Sequence, residues 1–120
     1  MEKILLHCKD INQAKSIESL ATSLNIDVCY LCENDLLRRI EDIVKQENKT
    51  LSNNIQMDDV LIFSNLSSNQ LDTFLVSYRQ NKIKPIALKA VVTEYNSLWT
   101  LSKLMKELSK ENSYYQKTKQ

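Results

Sequence analysis

The sequence predicts a small α/β domain, a three-layer sandwich in which a four-stranded, mostly parallel sheet lies between two layers of helices. Its 120 residues fit a single domain. Four short apolar runs alternate with segments whose apolar residues recur at helical spacing. Four consecutive strand–helix units of this kind are typical of parallel sheets that are covered on both faces. The composition, 42% hydrophobic and 26% charged, is that of an ordinary globular domain.

The first strand–helix unit is expected at the very start of the chain. Residues 2–8 contain a continuous apolar run, which is typical of a buried strand. Asp10, with Gln13 three residues later, predicts a capped helix start. Asn25 is expected to end this helix, because asparagine tolerates the left-handed conformation that follows many helices.

The second unit begins with residues 26–31, which are rich in β-branched and aromatic side chains and predict a strand. Asn34 or Asp35 can cap the helix that follows. Its apolar stripe would consist of Leu36, Leu37, Ile40, Ile43 and Val44. Residues 48–58 are polar and aperiodic and are expected to form a loop.

The third unit has the most clearly defined helix start in the chain. Residues 60–63 predict a strand, and Ser67 with Gln70 forms a capping-box pattern directly after it. Because both side chains can satisfy backbone N–H groups, we expect the helix to begin at this point.

The fourth unit follows Pro85, a residue that is tolerated at the first position of a strand. Residues 86–92 predict this strand, and Thr93 or Asn96 can cap the last helix. We expect residues 1–111 to form one domain and residues 112–120 to form a polar tail.

Right-handed crossovers leave few arrangements of four such units, and the strand order 2-1-3-4 is expected, a truncated flavodoxin-like sheet. No internal repeat is expected. In sheets of this type, ligands bind beyond the carboxyl ends of strands where the strand order reverses. Residues 7–10 and 64–67 would meet there, with residues 93–96 nearby.

The absence of glycine excludes several enzyme classes. The chain contains no glycine. Dinucleotide-binding fingerprints, P-loops, nucleophile elbows and the phosphate loops of protein kinases all require it. Asparagine and aspartate are expected to supply the left-handed turns instead.

Charge and cysteine content favour a soluble cytoplasmic protein. A net charge of +1 provides no general attraction to nucleic acid or to anionic membranes. No apolar run reaches the length of a membrane span. Three cysteines, an odd number, argue against a disulfide framework.

The cysteines permit three chemical hypotheses besides a structural role. Cys8 ends a strand before a helix, a position that resembles the phosphocysteine of sugar-phosphotransferase IIB domains, but the adjacent Asp10 would repel a phosphate. Cys29 and Cys32 form a CxxC pattern, which is typical of redox-active cysteine pairs. In such a pair the first cysteine lies at a helix start, whereas Cys29 is expected inside a strand. His7, Cys8, Cys29 and Cys32 have the right number of ligands for a zinc site. Neighbouring residues of a strand point to opposite faces, so His7 and Cys8 are not expected to bind the same ion. Buried, unreactive thiols are therefore expected, with no metal and no cofactor.

Lys89 lies inside an otherwise apolar strand and has two interpretations. As strand 4 is expected at the sheet edge, the lysine can discourage the addition of further strands. It can also serve as a cation for a small anion, together with Thr93, Asn96 and Ser64 near the carboxyl edge of the sheet. Trp99 is expected in the core.

Several segments of the second half resemble one bacterial family. They are Val60-Leu61-Ile62-Phe63-Ser64, Leu71-Asp72-x-Phe74-Leu75, Ile86-Ala87-Leu88-Lys89-Ala90-Val91-Val92-Thr93, Asn96-x-x-Trp99-Thr100-Leu101 and Glu107-Leu108-x-x-Glu111. This series resembles DUF3783, a domain family of unknown function, over about half of the chain. The resemblance implies a relationship but no activity.

These observations favour a non-catalytic interaction or regulatory module over an enzyme or phosphocarrier. The alternative would use the carboxyl edge of the sheet, through Cys8 or through the cluster of Lys89, Thr93 and Asn96. The expected partner is another protein or a small anion, not a membrane or a nucleic acid, and a homo-oligomer is left open.

Overall fold

A computed structural model describes residues 2–46 and 57–118, with side chains up to residue 111. The strands are β1 (Lys3–His7), β2 (Asp27–Tyr30), β3 (Val60–Ser64) and β4 (Leu88–Val91). The α-helices are α1 (Ile11–Ser23), α2 (Ile40–Lys45), α3 (Ser68–Gln80) and α4 (Leu101–Thr118), and short 3-10 helices lie at Glu33–Asp35 and Asn96–Leu98. Most of the loop expected over residues 48–58 lies outside the described residues. The helix α4 continues through the first residues of the expected tail.

The sheet has the order β2-β1-β3-β4, which confirms the predicted α/β class and strand order. β1 is parallel to β2 and β3 is parallel to β4, so the sheet is mostly parallel, but the central pair of β1 and β3 is antiparallel. The expectation that residues 7–10 and 64–67 share one edge is therefore wrong. His7 pairs with Val60 and Lys3 with Ser64, which places the carboxyl ends of β1 and β3 at opposite edges.

Apolar side chains cover both faces of the sheet. On one face, α1 and α3 pack over residues such as Leu6 and Phe63. On the other face, α2 and α4 pack over residues such as Leu5 and Ile62. The strands β1, β2 and β3 therefore contribute alternate side chains to two cores, whereas β4 contributes to the core on the α2 and α4 face only. None of the helices in the described ranges combines the length and the apolar character of a membrane span.

The chain consists of two units with the same succession of elements. The first unit runs from β1 to α2 (residues 3–45), and the second unit runs from β3 to α4 (residues 60–118). In both units, a strand of 5 residues, a helix of 13, a strand of 4, a 3-10 helix of 3 and a final α-helix follow one another. The succession of elements thus repeats, although few equivalent positions carry the same residue and the sequence itself shows no repeat.

An approximate two-fold axis relates the two units. It passes between Leu5 and Ile62, the central residues of β1 and β3, which pair with each other. It also passes between Arg39 and Thr100, which form an isolated antiparallel bridge directly before α2 and α4.

The bridge between the two helix starts is held by reciprocal hydrogen bonds. The N–H of Ile40 donates to the carbonyl oxygen of Trp99 at 2.9 Å, and the N–H of Leu101 donates to that of Arg38 at 2.9 Å. Ile40 and Leu101 are the first residues of α2 and α4. Each unit thus satisfies an N–H group at the helix start of the other, a group that has no partner within its own helix.

The α1 and α3 helices end in equivalent ways without glycine. Asn25 and Lys82 adopt φ angles of 60° and 54°. The next residues donate back across the helix end, Ile26 to the carbonyl oxygen of Ala21 and Ile83 to that of Tyr78. This is the hydrogen-bond pattern of a Schellman motif. Asparagine tolerates the left-handed conformation well, whereas lysine has to overcome a steric penalty.

The helix starts agree with the sequence at two of four positions. Asp10 caps α1 through bonds to the N–H groups of Asn12 and Gln13, although the Gln13 side chain turns to other partners. The capping box of Ser67 and Gln70 is present at α3.

The starts of the other two helices differ from the prediction. Where one helix was expected from Asn34 or Asp35, a 3-10 helix precedes α2. Thr93 and Asn96 form reciprocal hydrogen bonds across the turn that leads into the second 3-10 helix, whose N-cap residue, Tyr95, makes no side-chain cap bond. The Thr100 hydroxyl accepts the N–H of Lys103 at the start of α4.

The capping box at α3 gives a first testable prediction. Replacement of Ser67 by Ala should lower the free energy of unfolding by about 1 kcal/mol, because the N–H of Gln70 loses its acceptor. Urea unfolding measures this change. The matched control is Ser68→Ala at the exposed first helical position, where the change should stay within about 0.5 kcal/mol. Equal effects of the two substitutions would contradict the assignment of the cap.

The end of α3 gives a second prediction. Lys82→Gly should raise the free energy of unfolding by about 0.5–1 kcal/mol, because glycine adopts positive φ without a steric penalty. As control, Lys15→Gly in the exposed middle of α1 should lower it by about 1 kcal/mol. A loss of stability in both variants would show that Lys82 is not left-handed in solution.

Candidate functional site

A groove runs along the edge strand β4 on the face that carries α1 and α3. Its volume is about 270 Å³. The residues that line it, here called the β4 groove, are Phe63 of β3, Leu71 and Leu75 of α3, and Lys89, Ala90 and Val91 of β4. Its walls are mainly apolar, and the Lys89 side chain brings a charge to the rim.

The secondary structure positions the lining residues of the β4 groove. Phe63 and Val91 are partners in the register of β3 and β4, so that their side chains lie next to each other on one face. Leu71 and Leu75 are four residues apart on α3, which brings them to the same side of the helix. The groove is thus the gap between α3 and the outermost strand.

The equivalent position of the first unit is closed by an aromatic side chain. Tyr30 is the last residue of β2, as Val91 is the last residue of β4. Tyr30 is only 4% exposed and belongs to the apolar core on that face, whereas Val91 is 47% exposed. The same arrangement of elements therefore buries the end of β2 and leaves the end of β4 exposed.

The charge of Glu18 on α1 acts on the Tyr30 hydroxyl. Burial, followed by the charge of Glu18 and the hydrogen bond that its carboxylate accepts, raises the pKa of Tyr30 above its ordinary value. Leu75 occupies the position of Glu18 in α3. The second unit thus lacks both the ring and its acceptor at this place, and the lining there is apolar instead.

β4 is the last strand of the sheet, and within residues 2–46 and 57–118 no further strand pairs with its outer edge. The N–H of Val92 donates to the carbonyl oxygen of Phe63 at 2.9 Å. Alternate residues of a strand turn their backbone groups to opposite sides, so Lys89 and Val91 turn theirs away from β3. The carbonyl oxygen of Val91 accepts the side-chain amide of Asn96 at 3.0 Å, which ends the open edge.

The structure brings together two of the four residues that the sequence suggested as a ligand site. Thr93 and Asn96 are bonded reciprocally, with the N–H of Thr93 2.7 Å from Asn96 Oδ1 and the N–H of Asn96 3.1 Å from Thr93 Oγ1. Lys89 lies in the β4 groove. Ser64 is buried and, as the neighbour of Phe63, faces the other side of the sheet. Ligand binding by these four residues stays a prediction.

Cys8 is a buried hydrogen-bond donor. Its Sγ lies 3.3 Å from Gln13 Oε1 and 3.4 Å from the carbonyl oxygen of Asp10, and the residue is 1% exposed. Burial first, and the nearby Asp59 carboxylate second, raise the pKa of the Cys8 thiol. Both effects disfavour the thiolate, which is the form that attacks a phosphoryl group or binds a metal.

The other two cysteines do not complete a set with Cys8. Cys8 packs in the core on one face of the sheet and Cys29 in the core on the other, so the two cannot bind the same ion. Cys32 caps the first 3-10 helix. Within the part of the chain that the structure describes, no three potential metal ligands of the His, Cys, Asp or Glu type lie together.

His7 was not singled out as a site by itself, and its ring is nearly fully buried. Nδ1 lies 3.0 Å from the carbonyl oxygen of Asp58, which can only accept, so Nδ1 carries the proton. Lys3 is also buried, and its Nζ donates to the carbonyl oxygens of Val44 and Gln46 at the end of α2. Lys3 thus links β1 to the end of α2, and His7 links β1 to the segment before β3.

The fold and its groove define a small mixed α/β domain in which β2 and β4 are the edge strands of the described sheet. Residues 59–115 match the model of a family described as Domain of unknown function (DUF3783). This match confirms the relationship to DUF3783 for the second unit, which carries the β4 groove. No curated protein and no solved structure matches the chain.

The burial of the thiols gives a third prediction. Iodoacetamide at pH 8 should alkylate the half-buried Cys32 first, with Cys8 and Cys29 at least about a hundredfold slower, because these two react only after the fold opens. Peptide mapping by mass spectrometry gives the three rates. In urea, the three rates should become similar. Rapid alkylation of Cys8 in the folded chain would restore it as a candidate nucleophile.

Proposed function

We propose that this chain is a non-catalytic interaction module that binds another protein through the β4 groove. One observation carries the proposal: the second unit leaves open a position that the first unit fills with Tyr30. Val91 is exposed next to Phe63 and Leu75, and the three together form an apolar surface that a partner can cover.

The cysteine geometry supports an interaction role over the phosphocarrier alternative. A phosphocysteine requires a thiolate that is open to its phosphate donor. Cys8 is buried, it donates to Gln13, and its pKa is raised. The proposal places the protein in the cytoplasm, where an odd number of reduced cysteines is ordinary.

A larger groove on the same face fits this role less well. It has a volume of about 480 Å³ and is lined by Lys15, Ser16, Ser19, Leu20, Ser23, Asn81 and Ile83. The hydroxyls of Ser16 and Ser23 donate to carbonyl oxygens of their own helix. Its lining is mainly polar, whereas the centres of protein interfaces are depleted in charge and enriched in large apolar side chains.

The fourth prediction tests the β4 groove directly. Peptides are selected from a displayed random library on the immobilised chain. Val91→Tyr closes the groove in the way that Tyr30 closes its equivalent, so the selected peptides should bind this variant at least about tenfold more weakly. The readout is fluorescence anisotropy of the labelled peptides.

Val76→Tyr provides the matched control. Val76 lies on α3 outside the groove and is exposed to a similar extent, so this variant should bind as the wild type does. Heteronuclear NMR spectra establish that both variants fold. Undiminished binding to Val91→Tyr would show that the groove is not the binding surface.

A further inference from the structure

We propose that the partner is an extended peptide segment that adds to β4 as an antiparallel strand. It would place a large apolar side chain in the β4 groove and an acidic side chain beside Lys89. This inference rests on the proposed interaction function and names the chemistry of the partner.

The backbone of β4 presents three groups to such a strand. They are the N–H and the carbonyl oxygen of Lys89 and the N–H of Val91, all of which point away from β3. Among the described residues, none of these three groups forms a hydrogen bond with a main-chain group of a turn, loop or helix. An added strand can satisfy them at once, which is the basis of peptide recognition by strand addition. Antiparallel pairing is the more stable arrangement and the more common one.

The first unit shows what fits the groove. Tyr30 is a bulky ring at the position of Val91, packed against the strand residue Leu6 as a partner's ring would pack against Phe63. Leu75 stands at the position that Glu18 occupies in the first unit, so the lining of the groove is apolar at this point. It therefore favours a phenylalanine or leucine side chain over a tyrosine.

Lys89 determines the charge of the partner. It stands at the second position of β4, where β2 has the buried Val28, and it is exposed on the rim of the groove. A directly opposed carboxylate forms a favourable cross-strand pair, and a like charge is disfavoured. The same lysine thus opposes the unspecific strand addition that an open edge invites, and admits an acidic strand.

The spacing of Lys89 and Val91 defines the order of the partner's residues. The two are separated by one residue and share a face, so the partner residues opposite them are also separated by one residue. In an antiparallel strand, the residue opposite Val91 comes first. The recognised pattern therefore reads Phe-x-Glu from the amino terminus, whereas a parallel strand would require Glu-x-Phe.

Synthetic ten-residue peptides test this inference on the full chain. Otherwise identical threonine-rich peptides carry Phe-x-Glu, Glu-x-Phe or Phe-x-Lys at their centre. Phe-x-Glu should bind about fivefold more tightly than either of the other two. In NMR spectra, it should slow the hydrogen exchange of the Lys89 and Val91 amides, because these N–H groups become bonded to the added strand.

Lys89→Glu provides a charge swap. The variant should reverse the preference, so that Phe-x-Lys binds about fivefold more tightly than Phe-x-Glu. Lys103→Glu, on α4 away from the groove, should leave the order unchanged. Equal binding of all peptides, or unaltered exchange of the two amides, would overturn strand addition. If strand addition were overturned in this way but Val91→Tyr still abolished peptide binding, the proposed function would stand, with the β4 groove as the interaction surface. If Val91→Tyr bound each peptide as the wild type does, the proposed function would fall as well.

Discussion

The antiparallel pairing of β1 with β3 is the constraint on which the rest of the structure depends. Because the two central residues, Leu5 and Ile62, pair with each other, the two units are related by a rotation of about 180° around the approximate two-fold axis. The same rotation brings the starts of α2 and α4 together at the bridge of Arg39 and Thr100. One relation thus positions α1 and α3 over one face and α2 and α4 over the other. It also sends the carboxyl ends of the two parallel strand pairs to opposite edges.

The two-fold relation makes the first unit an internal reference for the second. Equivalent strands have the same lengths, as do α1 and α3, and the ends of these two helices use the same hydrogen bonds. Against this common frame, differences in side chains become interpretable. Tyr30 with Glu18 seals one strand end, whereas Val91 with Leu75 leaves the other open. The open end belongs to the unit that matches DUF3783. At this position, the first unit therefore contributes to the apolar core, while the second unit presents an exposed apolar surface.

Local chemistry explains which elements the sequence predicts well. The four strands appear as apolar runs, and the capping box of Ser67 and Gln70 marks the start of α3, because these signals act over a few residues. The signal of Thr93 and Asn96 is equally local, but the two residues close the turn before a 3-10 helix, and α4 begins only at Leu101. The predicted ligand cluster failed to come together as a unit, because Ser64 and Lys89 have side chains on opposite faces of the sheet.

The sequence by itself determined the α/β class, the faces that pack against helices and the burial of Cys8 and Cys29, because each of these follows from apolar periodicity and short-range capping. The strand order was predicted from the handedness of crossovers, and it is correct although the central pair of strands is antiparallel. Only the tertiary structure decided the direction of β3 relative to β1. A strand such as Val60–Ser64 buries the same side chains in either direction, so its periodicity carries no information on orientation. The β4 groove depends on the tertiary structure for the same reason: Val91 is apolar in the sequence, and its exposure becomes visible only when α3 is seen to stop short of the last strand.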